Sequence, residues 1–309
     1  MAHADAPDLD AGRAGSRRVW LPARRRPARL PVRLPALLRR RPPARWWWQR
    51  ALVTGASGGS GAEAAARLID RGVAVVLVAR RREPLEALAE RAHARGVAVE
   101  VLPADLAEAE GLARVEARLA DAAAPVDLLV NNAGFGTYGP LVDADPDVEA
   151  AEVAVNVTAV LRLTRAALPG MVARGRGTVL NVSSVAGSMP QPYAATYAAT
   201  KAWVSSFTHA LVEELRGTGV TATALAPGYT PTEFHADAGL TRASVPAPLW
   251  TDAATVAAAG LEAAAAGRAW VVPGWHFRVA AALAGLLPPA VTRRVVAAGM
   301  RQRLADPHW

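Results

Sequence analysis

The stretch Ala51-Leu-Val-Thr54-Gly55-Ala-Ser57-Gly-Gly59-Ser-Gly61 decides how the rest of the chain is read. A short apolar run ends in a cluster of glycines, and Ala/Leu-rich sequence with a helical period follows. A strand that enters a helix through glycine aims bare backbone N–H groups, and the positive end of the helix dipole, at whatever lies beyond it. Only glycine lets a backbone approach a pyrophosphate that closely. A glycine cluster can also be a simple tight turn. This one sits between strand and helix at the start of the fold, which favours phosphate binding through Gly55, Ser57, Gly59 and Gly61.

Outward from there the same alternation repeats. Apolar β-branched runs predict strands near 51–54, 73–79, 97–102, 126–131, 177–183, 219–226 and 269–272. Between them the spacing predicts helices near 60–71, 84–95, 108–121, 147–168, 196–216 and 252–265. Gly72, Gly96 and Gly217 fall just past helix ends, as left-handed caps do. Strands alternating with helices build a parallel sheet covered on both faces. The expected fold class is α/β: a single doubly wound Rossmann domain over residues 47–274, with a seven-stranded parallel sheet and helices on both faces.

The two ends read differently. Residues 1–46 alternate Arg, Pro and Ala without a period, and seven prolines break any long element, so a disordered leader is expected. Ser16-Arg17-Arg18 resembles a twin-arginine export signal, but no continuous apolar stretch follows it. A cytoplasmic location is therefore expected. The leader's texture is also what GC-rich DNA yields when read upstream of a true start, and a mis-assigned start is the favoured reading. Residues 275–309 form an expected helical extension broken at Pro288-Pro289, whose apolar run is too short and interrupted to span a bilayer.

The formal charge of +8 arises in the leader, because residues 1–50 hold 13 Arg against 3 Asp. The remaining chain carries 22 basic and 24 acidic side chains, so the core shows no nucleic-acid-binding character. The absence of cysteine excludes disulfides, thiolate metal sites and cysteine nucleophiles, and no metal is expected.

Composition also points to particular residues. The chain has 34 Arg but one Lys, Lys201, and only four Asn. Under that bias a surface cation drifts to Arg, so a surviving Lys marks a place where guanidinium does not serve. The second strand ends Ala79-Arg80-Arg81-Arg82, with no acidic residue before Glu83. An acid there selects NAD through the ribose 2′-hydroxyl, whereas Arg accommodates the 2′-phosphate of NADP, so NADP(H) is preferred over NAD(H). A solvated helix entry is the plainer account of the same arginines. Asn131-Asn132-Ala133-Gly134 closes the fourth strand, at the edge where open parallel sheets bind ligands. The fifth ends at Ser183-Ser184, and Tyr197-Ala-Ala-Thr-Lys201 follows on a helix. Positions i and i+4 share a helical face, which sets phenol beside ammonium. A free tyrosine titrates at about 10, and a neighbouring cation lowers that value toward the working range.

Taken together these motifs resemble the short-chain dehydrogenase/reductase family: Thr-Gly-x-x-x-Gly-x-Gly, Asn-Asn-Ala-Gly, an upstream Ser, Tyr-x-x-x-Lys and a late Pro-Gly, in order over about residues 48–274. The resemblance implies an oxidoreductase that moves a hydride between nicotinamide and a carbonyl or alcohol carbon. It implies Tyr197 as general acid/base, Ser184 on the substrate oxygen, Lys201 on the nicotinamide ribose, and Asn156 holding a relay water. Asn132, Ala133 and Gly134 would pack the cofactor and Asp105 would lie near adenine, while Pro227, Gly228 and Thr232 would brace the carboxamide. Gly58 and Ser60 depart from the family by standing where bulkier residues are usual. Phe135, Met189, Tyr193, Tyr229, Phe234 and Trp250 are candidate pocket residues for a hydrophobic substrate, with 232–250 as a lid. A homodimer or homotetramer is implied by resemblance alone. The alternative is a catalytically silent NADP-binding sensor or scaffold, which the intact Ser184, Tyr197, Lys201 and Asn156 set disfavours. A nucleotide-sugar epimerase is disfavoured by the glycine spacing.

Overall fold

The computed structural model describes residues 46–230, 250–274, 277 and 289–304. Strands β1 (Arg50–Thr54), β2 (Ala74–Ala79), β3 (Val99–Pro103), β4 (Leu128–Asn131), β5 (Gly177–Val182), β6 (Val220–Leu225) and β7 (Trp270–Val271) form one parallel sheet in the order β3-β2-β1-β4-β5-β6-β7. Helices α1 (Gly59–Asp70), α2 (Arg82–His93), α3 (Ala109–Ala120), α4 (Pro146–Val153), α5 (Val160–Ala173), α6 (Ala195–Glu214) and α7 (Ala253–Ala265) connect or flank them, and α8 (Pro289–Leu304) lies beyond the sheet sequence. The doubly wound α/β expectation holds.

Alternation along each strand sends neighbours to opposite layers. Ala51 and Val53 pack with Leu68 and Ile69 of α1, Leu85 of α2 and Leu261 of α7, whereas Leu52 packs with Leu112 and Val115 of α3, Leu163 of α5 and Leu211 of α6. The strand order reverses between β1 and β4, so the chain leaves them toward opposite faces and opens a crevice at their C-terminal ends. Trp48 anchors the start of the sheet by donating its indole N–H to Thr178 Oγ1 on β5 at 3.1 Å.

Two departures from the sequence expectation concern the helix expected at 147–168. It continues to Ala173 through Pro169, because Met171 beyond it is fully buried against Gly177. It is also interrupted by a π-turn over Ala154–Ala159, which joins α4 to α5. Of the expected C-terminal helix pair, the second is α8, and the first lies outside the described residues. Among the described residues no helix is long and apolar enough to cross a membrane.

Candidate active site

A cleft of about 1130 Å³ opens along the C-terminal edge of the sheet. Its glycine-loop end is organised by Thr54, the last residue of β1. The Thr54 hydroxyl donates to Val130 O at 3.3 Å and accepts from the backbone N–H groups of Asn132 and Ala133, each at 3.0 Å. Gly55 follows in the left-handed region at φ +66°, and a Cβ there would lie 2.7 Å from Asn132 Nδ2. Gly61 packs underneath, where a Cβ would meet Gly55 O at 2.2 Å. It holds α1 against the loop and is not part of the cleft wall, which includes Gly55, Ser57, Gly58, Gly59 and Ser60. Helix α1 begins with no side-chain cap and no acidic residue in its first turn, leaving its N–H groups and dipole to an anion. The unusual Ser60 has a local purpose: it donates to Asn132 Oδ1 at 2.8 Å and ties the loop to β4.

Past the end of β2, Arg80 and Arg81 line the cleft, and Arg80 is exposed. Arg82 points elsewhere and pairs with Glu86 at 3.3 Å on the surface of α2. Asp105 also lines the cleft while its Oδ1 accepts from the Ala107 N–H at 2.9 Å. These residues fit a dinucleotide: an uncapped helix N-terminus and close-packed glycines at one point, and cations with no acid at the strand end that selects the ribose.

Tyr197 and Lys201 stand one turn apart on α6, both buried and both lining the cleft. Lys201 Nζ lies 5.7 Å from the Tyr197 ring centroid and donates to Val182 O at 3.1 Å. The Ser184 side chain stands beside the Tyr197 hydroxyl, with its own hydroxyl 3.5 Å from Pro227 O. Ser184 is itself fixed by capping the short 3₁₀ turn after β5, accepting from the Ala186 N–H at 3.1 Å. Gly136 presses on the phenol, since a Cβ there would lie 2.6 Å from Tyr197 Cδ2. Burial pushes the Tyr197 phenol up to about 12, against the lowering effect of the nearby Ser184 side chain. Burial likewise brings Lys201 down to about 8. Removal from water thus dominates both shifts, and the expected acidification of the phenol by Lys201 is not among their causes.

Asn156 sits in the π-turn, fully buried behind Lys201. Its Nδ2 donates to Phe135 O at 2.8 Å and to Thr200 Oγ1 at 3.1 Å, and its Oδ1 accepts from the Phe135 N–H at 3.1 Å. Both amide protons are spent on bracing the strand exit to α6. Asn131, expected at the ligand edge, turns inward instead and donates to Asn181 Oδ1 at 2.8 Å and Thr164 Oγ1 at 3.1 Å.

Pro227 and Gly228 line the cleft, as do Asn132, Ala133, Gly134, Phe135, Met189 and Tyr229. Tyr193 does not. It lines a small neighbouring cavity at φ +67°, its carbonyl bonded to the Gly139 N–H. Trp250 stands behind Tyr229 in an edge contact at 5.9 Å. Thr232, Phe234 and most of the expected lid lie outside the described residues. Sequence reasoning missed Tyr138, Val296 and Met300, which line the cleft, and Glu152, a fully buried carboxyl near Lys201 and Tyr197. No periodic signal marks Glu152, because it lies in a short, weakly amphipathic helix.

A family model of short chain dehydrogenases matches residues 49–243, and the chain belongs to that family. A short-chain dehydrogenase from Sphingobium yanoikuyae, solved in complex with NADPH, is 35% identical with a TM-score of 0.70, covering 77% of this chain and 94% of that one. The bulky-bulky ketone specific alcohol dehydrogenase of Comamonas testosteroni is 31% identical with a TM-score of 0.67, over 77% and 93% of the two chains. A curated short chain dehydrogenase from Pseudocercospora fijiensis is 39% identical over 53% of this chain and 54% of its own length, so the match spans about half of that relative.

Proposed function

We propose that the protein is an NADP(H)-dependent oxidoreductase that interconverts a hydrophobic carbonyl compound and its alcohol. The observation that carries this is the convergence of Ser184, Tyr197 and Lys201 on the cleft that also holds the glycine loop and Arg80. Bound there, the nicotinamide supplies or accepts the hydride. In the direction of reduction the Tyr197 hydroxyl proton passes to the substrate oxygen as that oxygen gains charge. Ser184 hydrogen-bonds the same oxygen and fixes its position. The Lys201 ammonium stabilises the phenolate left behind and reaches the ribose. Asn132, Ala133 and Gly134 pack the cofactor, Asp105 serves the adenine end, and Pro227 with Gly228 braces the carboxamide, with Thr232 assigned there by resemblance alone.

NADP preference rests on Arg80 and on the NADPH complex of the Sphingobium relative. A hydrophobic substrate is supported by Phe135, Tyr138, Met189, Tyr229, Phe277 and Met300 in the lining. The bulky ketones named for the Comamonas neighbour point the same way. Val148, Val153, Leu161 and Val172 stand exposed along α4 and α5 and offer an apolar strip for a second copy in a homodimer or homotetramer. A cytoplasmic location completes the reading.

The test follows nicotinamide absorbance over a panel of ketones, aldehydes and alcohols with each cofactor. Turnover of apolar carbonyls with NADPH above NADH is expected. Tight NADPH binding without turnover of any carbonyl or alcohol would return the reading to a silent binding module.

A further inference from the structure

The family model matches residues 49–243, yet Phe277 and three residues of α8 line the same cleft as Ser184 and Tyr197. Phe277 is buried with its ring on Gly228, where a Cβ would come within 2.1 Å of the ring carbons. It packs in one cluster with Val185 and Tyr229, and Val185 directly follows the serine assigned to the substrate oxygen. On α8, Val296, Gly299 and Met300 fall at i, i+3 and i+4, so they share one face. Thr292, one turn before Val296, is buried, as is Met300, whereas Arg293, Arg294, Val295 and Arg301 are exposed. The helix is thus seated by the face that reaches the cleft.

The cleft-lining side chains of that face cannot donate a hydrogen bond. Phosphates, riboses and the adenine edge need donors or acceptors, and the glycine loop, Arg80 and Asp105 offer them elsewhere in the cleft. What Val296, Gly299 and Met300 can meet is apolar surface. Gly299 is the position with room to spare, since no atom of the described residues lies within 4 Å of the Cβ it lacks. We propose that this C-terminal wall gauges the apolar bulk of the substrate. Phe277, fixed against Gly228, bounds one side, and the space over Gly299 admits a second bulky substituent on the carbonyl carbon, such as an aryl ring. The inference deepens the oxidoreductase reading and rests on it, but its test needs no turnover.

A ketone beside NADP⁺ has no hydride to accept, so calorimetry on the complex of the full chain with NADP⁺ reads its binding alone. The probes are acetophenone, with one aryl group, and benzophenone, with two. Leucine is a better helix former than glycine, so Gly299→Leu fills the space without weakening α8. Benzophenone should then lose about tenfold more affinity than acetophenone, the scale of one misfit group in a hydrophobic pocket. Gly299→Ala should shift the same ratio less. Equal losses for the two ketones, or no loss, would overturn the proposal. So would weakened NADP⁺ binding, which would place α8 over the cofactor, and so would wild-type protein that binds no benzophenone. Selective loss in a protein that turns over no carbonyl would keep the wall and sink the oxidoreductase reading. Turnover of ketones with unchanged selectivity does the reverse.

Discussion

Tyr197 and Ser184 stand together at the cleft wall, and the chemistry proposed for the protein depends on one proton at that phenol. Tyr197→Phe keeps the ring that packs on Gly136 and removes only the hydroxyl. NADPH binding should survive, while kcat drops by about 10³-fold, within the range of a lost general acid. Stopped-flow turnover beside fluorescence titration of NADPH separates the two effects, and near-normal kcat would remove Tyr197 from the proton transfer. At the other end of the cleft, Arg80→Ala deletes an exposed cation. The Kd for NADPH should rise by about tenfold, as for one charge-assisted phosphate contact, with the Kd for NADH little changed. Equal losses for both cofactors would exclude a 2′-phosphate contact.

The elements deliver these residues by close backbone contact. The loop after β4 passes Tyr197 so tightly that Gly136 has no room for a methyl group. Gly136→Ala should push the phenol aside and cost about 100-fold in kcat, the scale of an ångström's misplacement, with the Kd for NADPH nearly unchanged. A wild-type kcat in that variant would show that the loop yields and the ring does not.

How far the sequence reveals such detail depends on whether a local pattern carries it. The strand–glycine–helix entry at Thr54–Gly61 and the Tyr197–Lys201 spacing are local, and both were legible. Burial of a single polar group is not local. Asn131 and Asn132 are chain neighbours of one type, yet one turns into the interior toward Asn181 while the other faces the cleft. Glu152 was invisible because its neighbours on α6 lie far along the chain. Pro169 marks a helix end in any propensity reading, and only the burial of Met171 beyond it overrides that.

For the whole molecule, two ionisable groups without water make stability depend on pH. Glu152 has a folded value of about 7 against 4.5 ordinarily, so the native state holds the extra proton in that window, and stability falls as pH climbs through it. Lys201 falls from 10.5 to about 8, so the unfolded chain binds more protons above 8 and stability rises from there toward 10.5. Their joint contribution should give a shallow minimum between pH 7 and 8. Urea midpoints from pH 4.5 to 8 should flatten in Glu152→Gln, and an unchanged slope would mean that Glu152 titrates normally.

The π-turn between α4 and α5 sets where Asn156 and Glu152 aim. An α-helix advances about 1.5 Å and 100° per residue. Cutting one alanine from the turn would let the coil close into a regular spiral, swinging the earlier half by nearly a third of a revolution. The shortened chain would gain backbone regularity and lose its alignment with the cleft. A surplus residue lodged mid-helix is thus the cost of pointing two side chains where an ideal helix could not.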